Sequence, residues 1–260
     1  MIFLKGNFMT RLLGLLIVIL NTPLLVAAEP TLPAKDKVHL FLLIGQSNMA
    51  GRGKPGDEDK KTHPRVWSLD KEQKWVPALA PIHFDKPTVA GVGPGVPFGK
   101  YLAEKQPDIH IGLIPCAFGG TSIAQWDAKG KLRTDAIARA KRAMQDGTLK
   151  GILWHQGESD MKNPKPYFDK LTALVADIRK DLDAPDVPFV VGELGLWNKG
   201  EGLMEINDAF HQLPRKVSNT AFVSSEGLKP GPDNVHFDTP SQHLFGQRYA
   251  EAYLKLSTKK

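Results

Sequence analysis

The sequence predicts an α/β fold: a three-layer sandwich in which a mainly parallel sheet of five strands is covered by helices on both faces. Three observations lead there. Five short apolar runs read as strands, the first of them apolar along its length, as a strand buried on both faces must be. Stretches with helical spacing of apolar residues lie between most of these runs, the alternation expected of parallel strands joined by crossover helices. The first three runs each give way to a polar, Gly-containing segment. Ligands in such folds bind beyond the carboxyl ends of the strands, so these three segments should meet at one edge.

Residues 1–28 read as a secretory signal rather than as part of the fold. Lys5 and Arg11 supply a positive start, Leu12 to Leu20 an apolar core, and Val26-Ala27-Ala28 small residues for cleavage. Met9 is an alternative start. A membrane anchor is the competing reading, but Asn21 and Pro23 interrupt the run before it reaches the ~20 apolar residues a span requires. Residues 29–260 then form one domain, and the expected location is secreted or periplasmic. Of the net charge of +6, two positive charges sit in the leader and the remaining lysines are scattered. Without a basic stripe interleaved with aromatics, nucleic acid is not an expected partner. The single cysteine, Cys116, has no internal disulfide partner and reads as a buried, inert thiol.

Val38 to Ile44 is the first strand. Gly51 to Gly99 is rich in Pro, Gly and charge and reads as a long loop, packed by Trp67 and Trp75 and helping to shape a site. Pro97 to Gln106 reads as a helix, Ile109 to Pro115 as the second strand, and Thr134 to Gln145 as an Ala-rich helix. Gly151 to Trp154 is the third strand. Tyr167 to Leu182 is an amphipathic helix with Leu171, Leu174, Val175 and Ile178 on one face. Val187 to Leu194 is the fourth strand. A helix over Met204 to Val217 should break late at Pro214. Thr220 to Ser224 is the fifth strand. Thr239 should cap a final helix that opens at Pro240.

The chemistry begins at Gly45-Gln46-Ser47-Asn48-Met49, where a strand delivers a hydroxyl to the sheet edge. Ser47 is a candidate nucleophile if a base takes its proton; a serine merely capping a helical turn is the competing reading. The segment is not an α/β-hydrolase elbow, because Met49 stands in place of the second Gly. Nor is it a phosphate loop, because Asn48 and Pro55 occupy required positions. Asp233-Asn-Val-His236 offers a base with an orienting acid three residues away, and a surface charge pair is its alternative. Three donors could face a developing oxyanion: the Ser47 N–H, an N–H of Gly119-Gly120, and the Gln156 side-chain amide. With no His-Glu-x-x-His and no cysteine cluster, no metal is expected.

Together, Gly-Gln-Ser-Asn-Met, Gly119-Gly-Thr-Ser, Trp154-His-Gln-Gly-Glu-Ser-Asp and the late Asp-x-x-His resemble the SGNH (GDSL-like) hydrolase superfamily. Within it they are similar to the sialate O-acetylesterase and carbohydrate esterase family six branch, which includes acetylxylan esterases. The resemblance spans about Val38 to Leu254. It implies a flavodoxin-like sheet and a serine esterase without cofactor, acting on an acetylated carbohydrate partner such as acetylxylan. By the same resemblance Ser47 is the nucleophile, His236 the base and Asp233 the orienting acid. Gly120, rather than Gly119, and Gln156 complete the oxyanion hole with the Ser47 N–H. Gln156 stands where the wider superfamily has Asn. Glu158 competes with Asp233 for the acid role. A carbohydrate-binding protein on an inactive scaffold and a lipase or thioesterase are the rival functions. Trp67, Trp75, Trp126 and Trp197 offer rings for sugars or for packing, and Arg52 a cation beside the nucleophile.

Overall fold

The computed structural model describes residue 2 and residues 31–258. Apart from Ile2, the expected leader lies outside the described residues. Among the described residues no helix is long and apolar enough to cross a membrane.

The sheet has seven strands: β1 (Val38–Gly45), β2 (Val66–Leu69), β3 (Trp75–Pro77), β4 (His110–Pro115), β5 (Thr148–His155), β6 (Phe189–Gly192) and β7 (Thr220–Val223). Their order is β3-β2-β4-β1-β5-β6-β7, and every pairing is parallel except the β2–β3 hairpin. The helices are α1 (Ser47–Ala50), α2 (Gly95–Lys105), α3 (Lys131–Ala143), α4 (Tyr167–Asp181), α5 (Leu203–Lys216) and α6 (Thr239–Ser257).

The apolar run of β1 is explained by its central place. Leu40, Leu42 and Ile44 face one core with Ala140 of α3, Leu171 of α4 and Phe210 of α5. Phe41 and Leu43 face the other with Phe98 and Leu102 of α2 and Phe245 and Tyr249 of α6. Successive side chains point to opposite faces, so a strand covered twice must be apolar at both parities.

The expected five strands are all present, and the fold is the expected α/β sandwich. The two additional strands fall in the stretch read as loop. β2 has only four residues, all buried, and pairs with β4 through Val66, Trp67 and Ser68. Its strand character comes from that non-local pairing, not from a local pattern. β3 is a three-residue edge strand, which tolerates Pro77. Pro214 does not break α5, which runs two residues further; the ring removes one bond in the last turn only. The cap of α6 is Asp238 rather than Thr239: its carboxylate accepts the Ser241 N–H at 2.8 Å. Thr239 instead donates to the Lys54 carbonyl at 2.7 Å.

β1 lies between β4 and β5, so the carboxyl ends of the three strands adjoin. The polar segments that follow them converge, as expected.

Candidate active site

Gly45 ends β1 with φ +127°, and a Cβ there would stand 2.1 Å from the His155 carbonyl oxygen. Only glycine lets the two strands approach so closely. Gln46 N–H bonds to that same carbonyl at 2.8 Å, and the chain then turns into α1 with Ser47 as its first residue.

His236 reaches Ser47 from a loop closed on itself. Gly231 N–H donates to the His236 carbonyl at 2.7 Å, and Asp238 N–H to that of Lys229 at 3.0 Å. At the loop tip Asn234 takes φ +56°, a left-handed turn that asparagine tolerates. His236 Nε2 lies 2.9 Å from Ser47 Oγ, and His236 Nδ1 lies 2.6 Å from Asp233 Oδ2. Asp233 Oδ1 accepts the N–H groups of Val235 and His236, both at 2.9 Å. Burial raises this carboxyl, but the His236 N–H, its imidazole and the Val235 N–H outweigh it and hold the pKa at about 2. The structure therefore brings Ser47, His236 and Asp233 into one hydrogen-bonded line.

Glu158 is placed elsewhere. Its Oε1 accepts Asn48 Nδ2 at 2.6 Å and lies 3.5 Å from His155 Nε2. Burial pushes this carboxyl up, but His155 and then Asn48 hold it below its usual range. Asn48 also accepts the Phe237 N–H at 3.1 Å through Oδ1, and its carbonyl accepts Gln242 Nε2 at 3.3 Å. One side chain thus ties the serine turn to both the histidine loop and Glu158.

Of the two adjacent glycines, Gly119 donates its N–H to Asp85 Oδ2 at 2.8 Å. The same oxygen accepts Arg52 Nη2 at 2.7 Å, in a pair whose side chains are 7% and 1% exposed. Burial raises the Asp85 carboxyl, and Arg52 and the Gly119 N–H lower it further than that. Gly120 has φ +82°, and its N–H donates to no acceptor among the described residues. The same holds for the N–H of Ser47.

Gln156 departs from expectation. It is fully buried, and its Nε2 is spent on the Thr121 carbonyl at 2.9 Å and Asp160 Oδ2 at 2.6 Å. Its oxygen accepts Tyr167 OH at 3.1 Å. The amide faces the interior and does not line the cleft, so it is not placed to meet a bound ester.

That cleft has a volume of about 650 Å3. Ser47, Gly120, Asp233 and His236 line it, with Gln46, Lys86 and the apolar Val89 and Val235. None of the four tryptophans lines it. Trp126 packs edge-on against Trp154 at 5.5 Å in the core, while Trp67 and Trp75 bond to His110 and Asp146. Trp197 braces the histidine loop: its ring meets Phe237 at 4.8 Å and its N–H donates to the Asn234 carbonyl at 3.2 Å. Cys116 is half-buried, and burial pushes its thiol up to about 12, which leaves it unreactive. Among the described residues no group of three His, Cys, Asp or Glu side chains is placed to hold a metal ion.

Residues 37–255 match the family described as carbohydrate esterase, sialic acid-specific acetylesterase. The chain belongs to this family. A probable carbohydrate esterase of Arabidopsis thaliana is 32% identical over 240 residues, covering 83% of this chain and 90% of that protein. The crystal structure of the Arabidopsis protein superposes with a TM-score of 0.77 at 31% identity, covering 84% of this chain and 98% of that one. NanS has the same fold at 18% identity, with a TM-score of 0.71 and coverage of 88% and 100%. A carbohydrate acetylesterase from Xanthomonas citri does so at 16% identity and a TM-score of 0.63, covering 86% of this chain and 57% of its own. The sequence resemblance is thus the family found, and the protein is a carbohydrate esterase.

Sequence reasoning missed Asn48 and Asp85 as parts of the site. Asn48 sits inside the motif that flagged Ser47, so its position was a usable signal. Asp85 lies 33 residues from Arg52 and 34 from Gly119 in a loop without pattern, and only the folded chain joins them.

Proposed function

We propose that this esterase removes O-acetyl groups from a carbohydrate by two-step acyl transfer at Ser47. The observation that carries the reading is the line from Ser47 Oγ through His236 to Asp233, beside unused N–H groups of Ser47 and Gly120. His236 Nε2 takes the Ser47 proton as Oγ attacks the acetyl carbon. The carbonyl oxygen becomes an oxyanion, stabilised by the two backbone N–H groups. As the carbon–oxygen bond to the sugar breaks, His236 returns the proton to the leaving sugar hydroxyl. A water deprotonated by His236 then attacks the acetyl-serine, releasing acetate and restoring Ser47. Asp233 holds the imidazole with its proton on Nδ1 and balances the charge that forms. Glu158 serves instead as the acid that orients Asn48. Export directed by residues 1–28 belongs to the same proposal.

A second reading concerns the substrate. The family description names sialic acid, and Lys86 offers the cleft a cation with no carboxylate partner among the described residues. An acetylated sugar bearing a carboxylate would meet that charge. The test is hydrolysis of 4-nitrophenyl acetate, followed by acetate release from acetylated xylan, pectin and sialosides, with Ser47→Ala as control. A silent wild type, or a mutant equally active, would remove the serine-esterase reading. Equal rates on neutral and acidic glycans would remove the second.

A further inference from the structure

We infer that a cavity beside the cleft, framed by Phe84 and Phe118, binds an uncharged sugar unit adjoining the one that carries the acetyl group. The inference rests on the acetylated-carbohydrate reading and deepens it.

The cleft itself has no aromatic ring among its lining residues. A second cavity, of about 220 Å3, lies against it. Asp85 and Phe118 line this cavity, while their chain neighbours Lys86 and Gly119 line the cleft. At two places the backbone thus passes from one lining to the other within a single residue. The rings of Phe84 and Phe118, 37% and 40% exposed, stand at the cavity. The Arg139 guanidinium lies over the Phe84 ring, 4.8 Å from its centre, and holds it in place.

Buried polar atoms without partners gather at the same spot. His83 is 5% exposed, and neither ring nitrogen makes a hydrogen bond among the described residues; the Leu43 carbonyl stands near the ring but outside bonding geometry. Asp85 Oδ1, on a side chain 1% exposed, and Arg139 Nε lack partners as well. All three residues line the cavity. Buried polar groups are rarely left unmatched, so a ligand that satisfies these is favoured.

Their chemistry selects the occupant. Asp85 can only accept, and its carboxylate repels an anion. Arg139 can only donate, and its guanidinium repels a cation. Burial keeps the His83 imidazole neutral at neutral pH, so the ring both donates and accepts. The match is an uncharged ring whose hydroxyls do both and whose C–H faces lie against phenyl rings, which is a sugar. Because the cavity adjoins the cleft of a carbohydrate esterase, that sugar is the next unit of the same glycan. His83 and Phe84 also line a further cavity of about 230 Å3 with Ser68, whose buried hydroxyl has no partner either. The track for the glycan therefore continues past the first unit.

The test measures kcat/KM for acetylated xylose against acetylated xylotriose, and for acetylated N-acetylneuraminic acid against acetylated sialyllactose. Each longer glycan adds uncharged units. In the pair that it hydrolyses, the wild-type chain should favour the longer member by about tenfold, mainly through KM, which is the scale of one well-placed aromatic contact. Phe84→Ala and Phe118→Ala should each bring that ratio toward one, and Phe118→Tyr, which keeps a ring, should restore it. Acetylated galacturonic acid and its trimer, whose added units carry carboxylates, should show no gain. Wild-type hydrolysis of acetylated sugars without a gain from length overturns this inference alone. So does a gain that survives both alanine variants, or an equal gain for the galacturonic acid trimer. Hydrolysis of 4-nitrophenyl acetate but of none of the acetylated sugars overturns the carbohydrate reading and this inference with it.

Discussion

Replacing Asp233 by asparagine separates two contributions of its carboxylate. Oδ2 faces His236 Nδ1 at 2.6 Å, while Oδ1 accepts two backbone N–H groups at 2.9 Å. An amide at this position must turn its oxygen to those two donors. Its nitrogen then faces Nδ1 and donates to it, which forces the imidazole proton onto Nε2. A protonated Nε2 cannot accept the Ser47 proton, and a wrong tautomer of this kind costs ~10⁴ in kcat. Alanine removes the carboxylate but imposes no tautomer. What it loses is the attraction between carboxylate and imidazolium. The Asp233 side chain is 52% exposed, so solvent screens that attraction strongly. With charge centres ~4 Å apart and an effective dielectric constant of roughly 40, it amounts to about 2 kcal/mol, or about 30-fold. Asp233→Asn should therefore be slower than Asp233→Ala by about two orders of magnitude, although asparagine is the closer match in shape. The assay is kcat on 4-nitrophenyl acetate at one mildly alkaline pH, with melting curves to show that each variant is folded. The reasoning fails if the asparagine variant keeps as much activity as the alanine variant. It also fails if Glu158→Gln, whose carboxylate touches Asn48 and His155, loses more than either.

Two further predictions concern the supports of the site. Asn48→Ala strips Glu158 of a donor and leaves the buried Phe237 N–H without an acceptor, which should destabilise the fold by about 2–3 kcal/mol in urea denaturation. Asn48→Asp sets a second carboxylate against Glu158, raising the pKa of one of them. Its deficit should exceed that of the alanine variant at neutral pH and shrink in mild acid, where the shared proton is present; an equal deficit at both pH values would contradict the contact. Burial pushes the imidazole of His83 down from 6.5 to about 4. Between those values the unfolded chain binds a proton that the folded chain refuses, so stability falls as the pH drops through this window, by about 3 kcal/mol in all. Above the ordinary value the contribution is constant. His83→Gln should remove that part of the slope, and parallel pH profiles for the two proteins would show that His83 is not its source.

Much of this was legible because it is local. The β1 run shows which strand is covered on both faces, and alternate residues of that one run do reach the two cores. The three-residue spacing of Asp233 and His236 needs only one turn of chain to bring carboxylate and imidazole together. The motif after β1 showed where a hydroxyl would stand at the sheet edge. The amide of Gln156 was misread for the opposite reason. Its place after β5 suggested a donor at the edge, but the direction of a side chain depends on partners such as Thr121 and Asp160, which come from other segments. β2 was invisible because four residues carry too little periodicity to outweigh the prolines around them.

Alone, the sequence determined the layers, the edge at which chemistry would gather, and the residue types assembled there. Apolar periodicity and short spacings are properties of neighbouring residues, so they are readable before folding. Tertiary structure decided which groups face each other. It spent the Gly119 N–H on Asp85 and left that of Gly120 free, gave Glu158 to Asn48 instead of His236, and turned the Gln156 amide inward to Thr121 and Asp160. Each of these choices is a competition among donors and acceptors far apart in the chain, and it is settled only when the strands that carry them lie side by side.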